Sequence, residues 1–143
     1  VLKKRICGNR FEGTNIYKRG EYYYLFASIG TCCNGATSTY QTVVGRSKNV
    51  LGPYLDKTGR DMLYDYCEII MSGNETWAGP GHNSILIQDD VGTDWIIYHG
   101  YKKKEAENGR YVLMDKLIWS NDGWPSVKSN APSILEVAPY FQK

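Results

Sequence analysis

Helical periodicity is almost absent from this sequence. Apolar residues alternate with polar ones instead of recurring every three or four positions, which argues against a helical bundle. Long apolar runs are missing too. No stretch approaches the roughly 18 residues of a membrane-spanning helix, so no membrane partner is expected. No secretory leader is visible, which would hold equally for a mature or truncated chain. Charge of one sign is not in excess, with 17 Lys and Arg against 15 Asp and Glu. The one basic cluster, Lys102-Lys103-Lys104, lies in a turn rich in Gly, Glu and Lys and reads as a solvated hairpin tip. Electrostatic binding of nucleic acid is therefore not expected. The four cysteines lack the paired Cys-x-x-Cys spacing of a zinc site. Cys32 and Cys33 are adjacent, a poor arrangement for a mutual disulfide, and Cys7 and Cys67 stand alone. Buried free thiols are the expectation for all four.

What the chain does have is alternation and aromatic rings. Its 12 Tyr and 4 Trp suit strands and packing between sheets, and such rings also stack on the apolar faces of sugars. Tyr22-Tyr23-Tyr24-Leu25-Phe26, Thr42-Val43-Val44, Trp95-Ile96-Ile97-Tyr98 and Val112-Leu113-Met114 read as strands. Arg19-Gly20, Asn34-Gly35, Gly52-Pro53, Asp89-Asp90, Asn108-Gly109 and Asn121-Asp122-Gly123 read as turns between them. The class is all-β, and a chain of this size forms one domain that buries roughly 70% of its unfolded surface.

The strands fall into two repeats of about 70 residues. The first runs Asn15 to Arg19, Glu21 to Ser28 and Gln41 to Ser47; the second runs Ser84 to Gln88, Asp94 to Gly100 and Tyr111 to Trp119. Such repeats suggest propeller blades, one over about 10–75 and a final blade with its closing segment over 76–143. Propellers typically need four or more blades to close. The opening Val1 to Asn9 starts mid-pattern, so the expectation is the carboxyl-terminal portion of a larger propeller. Each repeat is preceded by a short motif, Arg10-Phe11-Glu12-Gly13 and Gly79-Pro80-Gly81-His82-Asn83-Ser84. If the repeats stack as equivalent units, Glu12 and His82 face a common axis. Taken singly, a glutamate at a strand entry is a surface residue, and a histidine in a glycine-rich loop hydrogen-bonds backbone. His99, inside a strand, reads as a packed core histidine.

Phe11-Glu12-Gly13, the segment Ser28-Ile29-Gly30-Thr31-Cys32-Cys33-Asn34-Gly35, Ser38-Thr39-Tyr40, Val44-Gly45-Arg46-Ser47, Gly52-Pro53-Tyr54 and Gly79 to Ser84 occur in this order. Together with Tyr98-His99 and Asp122-Gly123-Trp124-Pro125, they resemble the later blades of glycoside hydrolase family 43 arabinanases. The match runs from about residue 10 to residue 127. The resemblance implies a five-bladed propeller that hydrolyses α-1,5-linked arabinofuranose chains with inversion. It implies that Glu12 is the catalytic acid, and that His82 helps hold a calcium ion, or another cation such as sodium, through surrounding waters. It places Cys32, Cys33 and Asn34 on the wall of the sugar cleft, and Asn83 and Arg46 as further candidates for substrate contact, Arg46 reading equally as a tie between blades. The family's catalytic base and the aspartate that tunes the acid lie in blades not present here. Asp56, Asp61 and Asp65 belong to inter-blade turns and cannot replace them. Arabinan or arabino-oligosaccharide is the expected substrate, a second polypeptide carrying the amino-terminal blades the expected partner, and a secreted or periplasmic location is favoured.

The implied chemistry is demanding. Inverting glycosidases need a protonated carboxyl to donate to the leaving oxygen and an ionised one about 6.5–9.5 Å away to activate water. An ordinary glutamic acid, with a pKa near 4.3, is mostly ionised at neutral pH. To act as an acid it must be raised by desolvation or by a nearby negative charge. The rival reading is a non-catalytic carbohydrate-binding module, or an inactive propeller fragment that kept the fold without the chemistry.

Overall fold

The computed structural model describes residues 3–142; Val1 and Leu2 of the opening segment, and Lys143, lie outside them. Among these residues there are ten strands and four short 3₁₀ turns. Four strands, β1 (Glu12–Arg19), β2 (Tyr22–Ile29), β3 (Gln41–Ser47) and β4 (Glu68–Met71), form an antiparallel sheet in chain order. A second sheet is built around β7 (Asp94–Lys102). Strands β5 (Trp77–Gly81) and β6 (Ile87–Gln88) pair with its two ends on one side, and β8 (Arg110–Lys116) runs along the other. Two further short strands, β9 (Ile118–Trp119) and β10 (Pro125–Ser126), form a small ribbon. No helix among the described residues is long and apolar enough to cross a membrane.

The sheets form because their central strands are apolar on both faces. In β2, Tyr24 and Phe26 point into a core shared with Ile96, Tyr98, Leu117 and Trp124 of the second unit. Leu25, Ala27 and Ile29, on the opposite face of the pleat, pack with Phe11, Val43, Tyr54 and Met62. The main core therefore lies between the sheets and fixes one against the other.

Polar groups fasten the same junction. The buried Asp94 carboxylate accepts hydrogen bonds from Tyr17 Oη (2.6 Å), Gln88 Nε2 (3.1 Å) and Trp119 Nε1 (2.8 Å). It also lies 3.4 Å from Arg19 Nε. Burial, then the bond to Asp94, pushes the Tyr17 phenol up to about 12, so it remains a donor there. The Arg46 guanidinium sits between the rings of Tyr22 and Trp124, 4.3 and 4.4 Å from their centres, and donates to the Asp122 carbonyl at 2.6 Å.

Three elements differ from the sequence expectation. The strand expected over Ser84 to Gln88 shrinks to Ile87–Gln88. Its place is taken by Trp77–Gly81, a segment whose Gly-Pro-Gly reads as a turn. Glycine is needed there for contact, because a side-chain carbon on Gly81 would lie 2.6 Å from Tyr40 Cδ1. The run Tyr111 to Trp119 breaks at Leu117, whose N–H donates to the Asp94 carbonyl at 2.8 Å. Strand β4 was not foreseen: one of its apolar positions, Ile69, points out, so no clean alternation marks it.

Candidate active site

Glu12 opens β1 at an irregularity. The ladder slips between Glu12 and Asn15, and Gly13 takes a left-handed φ of 55°. That backbone turns the strand entry towards the second sheet and allows a close approach. A side-chain carbon on Gly13 would stand 3.1 Å from His82 Cγ and Cδ2. His82 also has a left-handed φ, 54°, and its N–H donates to Ser28 Oγ at 2.7 Å. Ser28 is the residue paired with Glu12 across the ladder. Two sheets thus deliver their motifs to one place.

Between them stands Tyr40. The residue is 1% exposed. Its hydroxyl donates to Glu12 Oε2 at 3.0 Å and lies 3.4 Å from His82 Nδ1. Glu12 and His82 are both solvent-exposed, so the charged and ionisable ends face an open surface while the phenol beneath is buried. His99 completes the arrangement. Its ring stacks at 6.0 Å on Tyr40 and at 6.1 Å on His82. Arg110 Nη1 lies 3.3 Å from His99 Nε2. An arginine can only donate, so Nε2 accepts and the hydrogen resides on Nδ1. Burial, then the Arg110 charge and His82, push the His99 pKa below its ordinary value. His99 is half-buried beside the site, not a residue of the deep core.

The expectation of free thiols at Cys32 and Cys33 is corrected: the two form a disulfide with each other. Their Cα atoms are 3.8 Å apart, inside the usual 4.4 Å lower bound for disulfides, which is why adjacency argues against the bond. Cys33 takes a left-handed φ of 71° that brings the two side chains together. Cys7 and Cys67 are free and half-buried, and burial pushes both thiols up. The bridged pair lies in the loop joining β2 to β3. That loop is closed at its base by Thr39 and Tyr40 N–H groups donating to the Thr31 carbonyl, at 3.0 and 3.1 Å. Asn34 N–H donates to Ser38 Oγ at 3.0 Å. The loop carrying Cys32, Cys33 and Asn34 therefore ends on Tyr40.

Of the other sequence candidates, Asn83 adjoins the site. It is buried, its carbonyl accepts from Asn15 Nδ2 at 3.2 Å, and the side-chain oxygens of Asn15 and Asn83 have no partner among the described residues. Arg46 is not brought here; it pairs with Tyr24 towards the far end of β3 and serves the sheet junction. Asp56 is held by Thr58 and Arg60, Asp61 caps a 3₁₀ turn at Leu63, and Asp65 closes that turn with a φ of 69°. None of the three hydrogen-bonds to Glu12, Tyr40 or His82. No group of three or more His, Cys, Asp and Glu able to hold a metal occurs among the described residues. Tyr40, Ser28 and His99 were not singled out as site residues from sequence, although each lies in a segment that carried the resemblance, Ser38-Thr39-Tyr40, Ser28 to Gly35 and Tyr98-His99.

A model of the family described as glycosyl hydrolases family 43 matches residues 5–125. The chain is 45% identical over 118 residues to the extracellular exo-alpha-(1->5)-L-arabinofuranosidase ArbA of Cellvibrio japonicus, covering 82% of this chain and 33% of that protein. It is 41% identical over 120 residues to the extracellular endo-alpha-(1->5)-L-arabinanase 1 of Bacillus subtilis, covering 83% and 35%. The structure of Cellvibrio cellulosa alpha-L-arabinanase complexed with arabinohexaose superposes with a TM-score of 0.78 at 44% identity, over 84% of this chain and 37% of that one. The chain thus spans about a third of the length of the curated relatives it matches.

Proposed function

Since the chain belongs to glycosyl hydrolases family 43, we propose that it serves the hydrolysis of α-1,5-linked arabinofuranose chains with inversion, as two consecutive blades of a five-bladed propeller. Glu12 is the general acid in this reading. The observation that carries it is the meeting of Glu12 and His82, from two different sheets, at the hydroxyl of Tyr40. Stacking of the two repeats leads to the expectation that these two residues face a common axis, and their proximity is what such a site requires.

The acid protonates the glycosidic oxygen as the bond to the arabinofuranosyl carbon breaks. A carboxylate about 6.5–9.5 Å away takes a proton from the water that attacks the opposite face. Asp56, Asp61 and Asp65 are engaged in their own turns. The base accordingly comes from a second polypeptide, or a further segment, carrying the amino-terminal blades. In ¹H NMR of that assembly acting on an α-arabinofuranoside, the first-formed product is the β-anomer. Release of the α-anomer first, or no release, contradicts the reading.

A calcium ion or comparable cation is implied by the resemblance, and the chain's own donors limit how it is held. Hard cations prefer oxygen ligands. His82 offers one nitrogen, with no carboxylate cluster around it among the described residues. These donors fit a cation held mainly by water, with His82 as protein ligand and the unpartnered Asn15 and Asn83 oxygens as acceptors for that water. Such a cation supplies positive charge beside the sugar. In the assembled enzyme, His82→Ala should lower hydrolysis and a strong chelator should reproduce part of the loss, with a smaller effect on melting temperature. Hydrolysis unchanged by both would remove the cation from the site.

A further inference from the structure

Tyr40 has one proton and two neighbours that can share it, Glu12 Oε2 at 3.0 Å and His82 Nδ1 at 3.4 Å. A phenol, with an ordinary pKa near 10, keeps its proton at neutral pH. Glu12 Oε2 is an acceptor whether the carboxyl is ionised or carries its proton on Oε1, and it is the nearer of the two neighbours. The shorter contact therefore takes the proton, and the hydroxyl points at Glu12. Only lone pairs then remain on the phenol oxygen for His82. A neutral imidazole facing a lone pair must carry its hydrogen on Nδ1 and donate it, which leaves Nε2 bare. Ser28 holds the His82 backbone in place, its oxygen accepting the His82 N–H at 2.7 Å.

The ring has little freedom to do otherwise. Gly81 leaves room for it only because a side-chain carbon there would lie 2.6 Å from Tyr40 Cδ1. His99 stacks on it at 6.0 Å, and the Tyr40 backbone N–H donates to the Thr31 carbonyl at 3.1 Å.

We propose that Tyr40 is a positioning residue with two outputs. By occupying Oε2 of Glu12 it leaves Oε1 to carry the proton delivered to the leaving oxygen, and by refusing a proton to His82 it fixes the tautomer whose Nε2 lone pair is free for a ligand. This rests on the reading of Glu12 as acid and His82 as cation ligand.

The chain holds two histidines, so a ¹⁵N-imidazole spectrum of the full chain reports both. His99 is the internal reference, because Arg110 fixes its hydrogen on Nδ1 whatever Tyr40 does. At about pH 8, above the ordinary imidazole range near 6.5, each wild-type histidine should show a protonated Nδ1 and a bare Nε2. Tyr40→Phe keeps the ring and its stack but removes the hydroxyl. His82 should then shift towards the Nε2–H form while His99 stays unchanged. In the assembled enzyme the same variant should lower kcat on arabinan by about 10–100-fold, the range for groups that hold functional ligands from behind. KM should change by less than about twofold, since ground-state contacts with the sugar are kept. A His82 tautomer that is Nε2–H in the wild type, or identical in Tyr40→Phe, overturns the proposal. The spectra need no turnover, so that failure is distinguishable from failure of the hydrolase reading, which shows as an inactive wild-type assembly.

Discussion

Glu12→Gln should cut hydrolysis of linear arabinan by roughly 10²–10⁴-fold in the assembled enzyme, the usual scale of general acid catalysis. The fold should survive, because Glu12 is exposed and glutamine nearly matches its shape. The amide oxygen can still accept from Tyr40, so the geometry around His82 is kept while the transferable proton is lost. Arabinan has a sugar alkoxide as leaving group and depends heavily on that proton. Aryl arabinosides with good leaving groups need it less, so their cleavage should fall much less. Equal losses on both substrates, or no loss on either, would remove Glu12 from the role.

The second large effect concerns completeness. The 143-residue chain by itself should give no detectable arabinan hydrolysis, and activity should appear when a polypeptide carrying the other blades is supplied. The expectation follows from the proposed acid role of Glu12, from the engagement of Asp56, Asp61 and Asp65 in their own turns, and from a chain spanning about a third of its relatives' length. The surface agrees. Val112, Ile134, Leu135 and Val137 are 80, 81, 90 and 74% exposed, a run of apolar side chains that suits burial against another element. Co-purification of the two polypeptides in a native mass spectrum should accompany the activity. A monomeric 16.2 kDa species that cleaves linear arabinan would contradict the expectation.

Much of the fold was legible because its signal is local. The continuous apolar and aromatic runs Tyr22 to Phe26 and Trp95 to Tyr98 mark strands buried on both faces, and β2, β3 and β7 lie close to where the strand pattern puts them. Strand β5 was hidden because Gly79-Pro80-Gly81 carries turn residues for a tertiary reason, the closeness of Tyr40 and Ser28. The Cys32–Cys33 disulfide was hidden for a similar reason: spacing rules describe ordinary backbone, and Cys33 adopts a left-handed conformation that only the loop imposes. At the site, the proximity of Glu12 and His82 could be inferred from motif position within two repeats. The residue joining them could not. Tyr40 lies 28 positions from Glu12 and 42 from His82, and its motif Ser38-Thr39-Tyr40 marks the segment without showing that the phenol reaches either residue.

The most direct test of Glu12 as the acid is a crystal structure of the assembled Glu12→Gln enzyme with an arabino-oligosaccharide bound across the site. The glutamine should lie within about 2.6–3.2 Å of the glycosidic oxygen between two arabinofuranose units, the reach of a general acid, while its other terminal atom keeps the contact with Tyr40. A sugar chain held elsewhere, with no inter-residue oxygen within reach of position 12, would contradict it.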